Sequence, residues 1–221
     1  MIISRTPLRI SFFSGGSDMP NFYEKEKGAA LSVTINKYIY VMMHKTPHLG
    51  IKIMYDTIEE FPDLETMQHA ITRESLKHFG IDKEVTIASI ADILAKGSGL
   101  GSSSAFTIGL VNVLANPDQH SSLVSREYLA QTAYMIEREL CKYPVGKQDQ
   151  YASAYGGMNL FEFHKDESVE IKPLTYNRET WGNLEDRLLL VYSGRGRNAN
   201  SILQKQAAAM SDETKFDLVR R

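Results

Sequence analysis

Apolar residues recur along this chain at strand spacing near its start and at helical spacing through its middle, and the two kinds of segment then mix. Ile2–Phe13 reads as a strand, ended by the turn signal Ser14-Gly-Gly-Ser-Asp18 and by Pro20. Residues 31–43 are rich in β-branched and aromatic side chains, and 51–55 form a partner strand across the turn Pro47-His48-Leu49-Gly50. Leu64, Met67, Ala70, Ile71, Leu76 and Phe79 fall three to four residues apart in most cases, which predicts a helix over 63–79 with Gly80 as its C-cap. Residues 84–91 alternate partly and read as a strand, whereas 105–114 are almost wholly apolar and read as a buried helix. After a polar connection over 116–123, Ser125 is placed to cap a helix whose Leu129, Ala133, Ile136 and Leu140 form one stripe, with Pro144 ending it. Met158–Phe163, 169–174 and 187–192 look like strands, and 198–210 like a helix. Strands and helices mix without strict alternation, which predicts an α+β fold rather than a doubly wound parallel sheet.

Composition narrows the picture. A chain of 221 residues suffices for one sizeable core or two small ones. Lys+Arg 25 against Asp+Glu 27 leaves a formal charge of -2 with no basic block, which argues against nucleic acid as a partner. The single cysteine, Cys141, excludes an internal disulfide framework and fits a reducing compartment. The six histidines lack metal-ligand spacing. No basic-then-apolar leader and no apolar run of roughly 20 residues is visible, so a cytoplasmic protein without a membrane partner is expected.

The chemistry starts at Gly97, Ser98, Gly99, Leu100, Gly101, Ser102, Ser103 and Ser104, a glycine-rich turn between the strand 84–91 and the helix 105–114. Unpaired amides at a helix start, backed by the positive end of the macrodipole, attract anions, and glycines let the backbone come close to a phosphate. A dinucleotide fingerprint fits poorly, because Ser102 stands where its third glycine belongs and Asp118 lies in a turn beside Asn116-Pro117. A Walker A loop fails, because the one Gly-Lys pair, Gly146-Lys147, is followed by Gln148. A flexible loop with serine caps is the bland alternative.

Four further residues matter. Glu137 sits at the edge of the apolar stripe of the helix 125–140, where a carboxylate either swings into water or finds a partner. Asp149 falls in a polar turn between that helix and the segment 152–157, where an aspartate commonly caps neighbouring amides. Arg9 lies in a strand among apolar neighbours, and Asp18 closes the Ser-Gly-Gly-Ser turn. Phosphoryl transfer needs donors for phosphates, oxygen ligands for Mg²⁺, a cation for the transferred group and a carboxylate near the acceptor hydroxyl. This chain offers all four, although spacing alone leaves open whether they converge.

Three segments taken together, Pro7-Leu-Arg-Ile-Ser-Phe-Phe-Ser-Gly-Gly-Ser-Asp18, Gly99-Leu-Gly-Ser-Ser-Ser-Ala105 and Gly146-Lys-Gln-Asp-Gln150, resemble in order and spacing the GHMP small-molecule kinases (galactokinase, homoserine, mevalonate and phosphomevalonate kinases). Ser11-Phe-Phe, the triple serine, the run Gly146 to Gly157 and Tyr192-Ser-Gly with Arg197 and Ser201 are most similar to the branch that phosphorylates the anomeric hydroxyl of D-glycero-D-manno-heptose 7-phosphate. The resemblance implies ATP and Mg²⁺, with Gly97 to Ser104 around the ATP phosphates and Ser104 and Glu137 on the metal. It further implies that Asp149 takes the hydroxyl proton, that Arg9 faces the transferring phosphate, and that Gly16, Ser17 and Asp18 bind the sugar together with Asp149. Lys147, Arg195 and Arg197 are the candidate cations for the remote phosphate of the substrate. The implied fold is a ribosomal protein S5 domain 2-like N-terminal domain over 1–180 followed by a ferredoxin-like C-terminal domain over 181–221 that is incomplete. Ser14 and Leu94-Ala-Lys96 stand where the family commonly has glycine and proline, and no second glycine-rich motif follows Arg197. Alternatives are another GHMP sugar kinase, of fucose or galactose type, and a catalytically silent nucleotide- or sugar-binding protein.

Overall fold

The computed structural model describes residues 1–13, 16–47, 50–93, 97–116 and 124–191. The fold is α+β: among the described residues seven strands form one sheet, against which helices pack. The axis of the sheet is β2 (Gly28–Lys45), an 18-residue strand. One edge of β2 pairs antiparallel with β1 (Ile2–Phe13) over nearly its whole length. Its other edge is shared, by β5 (Val85–Ala91) along residues 39–45 and by β6 (Met158–Phe163) along residues 28–33. Beyond β5 lie β3 (Ile51–Met54), parallel to it, and β4 (Ile58–Phe61); beyond β6 lies β7 (Val169–Pro173). The shared edge matters, because it places the N-terminal turn, the segment after residue 91 and the approach to β6 around the middle of β2.

The most buried helix, α3 (Ser102–Ala115), lies on β1 and β2. Gly109 permits the close approach: a Cβ there would stand 2.9 Å from Ser4 Oγ, 3.0 Å from Val41 Cγ2 and 3.1 Å from Thr6 Oγ1. Ser4 Oγ also donates to the Gly109 carbonyl at 2.9 Å, so a buried hydroxyl is satisfied by the helix it touches. Around α3 pack α2 (Ala70–His78), α4 (Arg126–Met135), which runs on as a π-helical turn Ile136–Leu140, and α5 (Gln148–Tyr155). One core, including Leu8, Val41, Ile87, Leu110 and Ile136, fills the space between the sheet and α2 to α4. A second, around Tyr23, Ala130, Tyr151, Phe161 and Phe163, lies under β6. Among the described residues no helix is long and apolar enough to cross a membrane.

Several expected elements differ. The helix expected over 63–79 begins only at Ala70, because Asp63 Oδ1 caps a turn at Thr66 and His69 Nδ1 accepts from the Thr72 amide at 3.3 Å. Two short elements, α1 (Pro20–Tyr23) and the charged hairpin strand β4, and the helix α6 (Arg178–Glu185) are additional to those expected. Residues 188–191 form no strand, contrary to the expectation for 187–192. The helix expected over 198–210, together with Tyr192, Arg195, Arg197 and Ser201, lies outside the described residues. Ser14 and Leu94 to Lys96 lie outside them as well.

Candidate functional site

The glycine loop does open a helix. Gly97, Gly99 and Gly101 all have left-handed backbone, with φ 73°, 78° and 72°, while Ser98 and Leu100 between them do not. Alternating handedness of this kind curls successive amides toward one side, which is the geometry of an anion cradle. Only glycine enters it without strain. Gly101 is the N-cap of α3, and Ala105 makes the first closed bond of the helix, its amide donating to the Gly101 carbonyl at 2.9 Å.

Arg9 ties this loop to β1. Its amide donates to the Leu100 carbonyl at 3.0 Å and its Nη1 to the Gly99 carbonyl at 2.6 Å. The residue is only 9% exposed, so it is no surface strand charge. Its Nε and Nη2 both donate to Asp149 Oδ1, at 2.8 and 2.6 Å. A Cβ on Gly101 would stand 3.1 Å from Arg9 Cγ, so that glycine also makes room for the arginine. Asp149 is 31% exposed at its side chain and stands in the first turn of α5, not in the polar turn expected. Among the described residues its Oδ2 accepts no hydrogen bond, which leaves one oxygen of this partly exposed carboxylate unengaged beside the loop.

Glu137 is fully buried, at 0% exposure, and so is no rim glutamate. Its Oε1 accepts from Thr107 Oγ1 at 2.7 Å and Ser103 Oγ at 3.2 Å; its Oε2 accepts from Ser104 Oγ at 2.9 Å and from Gln150 Nε2. These partners are all neutral. Desolvation therefore raises its carboxyl above the ordinary glutamate range, opposed by the bonds from Thr107, Ser104 and Gln150. A buried carboxylate with hydroxyl neighbours and, among the described residues, no cation in contact is suited to a hard divalent ion. Ser104 Oγ and Glu137 Oε2 are neighbouring oxygen donors of the kind such an ion takes. The residues present fit the metal. Thr107 and Gln150 were not singled out from the sequence, although Gln150 closes the Gly-Lys-Gln-Asp-Gln run and Thr107 lies one turn past Ser103 and Ser104 on α3.

The N-terminal turn is held against the start of α5. Ser17 Oγ donates to the Ala29 carbonyl at 2.7 Å, and Gly16 has a left-handed φ of 106°. Asp18 Oδ2 accepts from the Gln148 amide and the Asp18 carbonyl from the Lys147 amide, both at 3.2 Å. The carboxylate lies where a side chain on residue 146 would stand, since a Cβ on Gly146 would come within 2.0 Å of Asp18 Oδ2. Desolvation, and next the charge of Asp149, push the Asp18 carboxyl up to about 6. Gln148 Nε2 reaches both Ser11 Oγ and Ser32 Oγ at 2.6 Å, which pins α5 to β1 and β2. Lys147 is not a free cation for a substrate phosphate: it is 4% exposed, and its amine donates to the Glu167 carbonyl at 2.6 Å.

Residues 65–157 match the family model described as GHMP kinases N terminal domain. The D-glycero-alpha-D-manno-heptose 7-phosphate kinase of Campylobacter jejuni is 30% identical over 98% of this chain, which spans 66% of that relative. The bifunctional fucokinase/GDP-fucose pyrophosphorylase of Arabidopsis thaliana is 27% identical over 90% of this chain and 21% of its own length. A solved D-glycero-D-manno-heptose 1-phosphate kinase from Bacteriodes thetaiotaomicron shares the fold, with a TM-score of 0.76 at 24% identity over 99% of this chain and 76% of that one. The matched segment contains the glycine loop, Glu137 and Asp149, and the relative from Campylobacter extends the match across Arg9 and Asp18. The chain belongs to the GHMP kinase family.

Proposed function

We propose that this chain transfers the γ-phosphoryl group of ATP to the anomeric hydroxyl of a heptose 7-phosphate. The observation that carries the reading is the Arg9–Asp149 pair at the mouth of the glycine loop, with one Asp149 oxygen left to a ligand. In this reading the left-handed glycines and the first amides of α3 receive the ATP phosphates. Asp18, Ser17 and Gly16 line the sugar side, and Asp149 Oδ2 accepts the hydroxyl proton as the sugar oxygen bonds to the γ-phosphorus. The bond from that phosphorus to the bridging oxygen of ADP breaks, and the negative charge passes to ADP. Arg9, held by Gly99 and Asp149, presents its guanidinium to the transferring group and so stabilises charge on it. Ser104 and Glu137 would hold Mg²⁺, which when bound neutralises the charge of the ATP phosphates.

The acceptor is proposed from the name of the Campylobacter relative; the identity to a fucokinase makes fucose the competing acceptor. Coupled ADP release by the purified chain with Mg-ATP, compared across the heptose 7-phosphate, fucose, galactose and mannose, decides between them. Turnover with the heptose 7-phosphate at least about tenfold above the other sugars supports the proposal; preference for fucose or galactose overturns the acceptor assignment.

A further inference from the structure

Lys147 stands two residues before Asp149 of the proposed site, yet its side chain is engaged elsewhere. The amine donates to the Glu167 carbonyl and lies 4.7 Å from the Tyr23 ring centre and 5.4 Å from that of Tyr134. The nearest carboxylate oxygen, on the largely exposed Glu167, is 4.0 Å away. A buried ammonium is costly unless it is well partnered, and desolvation lowers the pKa of Lys147 despite the nearby acids. Its partners come from three separate places: α1 (Tyr23), α4 (Tyr134) and the turn between β6 and β7. Glu167 in that turn has a left-handed φ of 67°, unusual for a non-glycine residue, and its carbonyl is the one Lys147 engages.

The main chain on either side of this anchor is what holds Asp18. The Gly146 Cα is packed against the Asp18 carboxylate, the Lys147 amide donates to the Asp18 carbonyl, and the Gln148 amide donates to Asp18 Oδ2. Asp149 follows directly. We propose that Lys147 is a positioning residue: its buried ammonium, clamped by Glu167, Tyr23 and Tyr134, fixes the backbone of residues 146–148 and thereby the placement of Asp18 relative to Asp149. The functional meaning rests on the reading of these two aspartates as substrate groups, but the geometric claim does not.

The test reads geometry without substrate. Carboxyl-carbon NMR titration of Asp18 is made in the full chain and in Lys147→Met and Lys147→Arg, with thermal melts to establish folding. In the parent chain Asp18 is expected to titrate near 6, raised by burial and by the charge of Asp149 against the lowering effects of the Gln148 amide and Arg9. Lys147→Met is expected to lower that midpoint by about one unit as the turn separates from residues 146–148. Lys147→Arg, which keeps the charge and can stack on the rings, is expected to keep it. Lys147→Gln, which keeps a donor but not the charge, is read in the same way as Lys147→Met should the latter not fold. An unchanged midpoint in a folded neutral variant overturns the proposal, and so does an equal fall in Lys147→Arg. In an active protein the neutral variants should lower kcat at least about tenfold with the KM for ATP unchanged. An inactive parent chain counts against the proposed function, while the titration still decides the role of Lys147.

Discussion

Arg9 and Asp149 are bound to each other by two hydrogen bonds, and the charge of Asp149 is felt by Asp18. Arg9 spends three donors on Gly99 and Asp149, which fixes the guanidinium plane beside the loop. Asp18 has no such cation in contact and is packed against Gly146, so burial and Asp149 raise its folded-state pKa from 3.8 to about 6. The folded state therefore binds the proton more tightly than the unfolded chain between those values. Stability from this group is fully present below about pH 4, falls as pH rises toward 6, and is lost above it. Asp18→Asn removes the dependence while keeping an acceptor for the Gln148 amide. Thermal melts of both proteins from pH 4 to 8 should show the parent losing stability relative to Asp18→Asn across that window; parallel curves would contradict the placement of Asp18.

At the scale of elements, α3 carries the loop at its head and rests on the sheet through Gly109. Valine at that position would drive a branched side chain into Ser4, Thr6 and Val41, and overpacking of this kind costs about 2 kcal/mol. Urea unfolding of Gly109→Val should show the loss as a lower midpoint; an unchanged midpoint would mean that α3 does not sit as close to the sheet as described. Much of this level was legible in the sequence. The loop between β5 and α3 could be read as a helix start because its glycines and serines lie between a β-branched run and an almost wholly apolar one, and the Ser125 cap is borne out, since Ser125 Oγ accepts from the Tyr128 amide. Asp149 was misplaced in a turn, because Gly146-Lys-Gln-Asp-Gln is polar and lacks a helical stripe. The reason that it is nonetheless helical is tertiary: Gln148 reaches Ser11 and Ser32, and Gln150 reaches Glu137. Glu137 was seen at the edge of a stripe, because periodicity on one helix cannot report the α3 hydroxyls and the α5 amide that surround it.

For the molecule as a whole, residues more than a hundred positions apart, Arg9 and Asp149, are joined because β1, the glycine loop and α5 meet beside the middle of β2. The resemblance of three short motifs supplied that convergence where spacing could not, and the family match supports it. The central claim is that this convergence moves a phosphoryl group with Asp149 as the acceptor of the proton. Its most direct test is single-turnover transfer from γ-labelled ATP to heptose 7-phosphate by the parent chain and by Asp149→Asn, with ATP affinity measured on both. The account predicts transfer slowed by about 10²-fold or more in the variant at equal ATP affinity; transfer at the parent rate would contradict it.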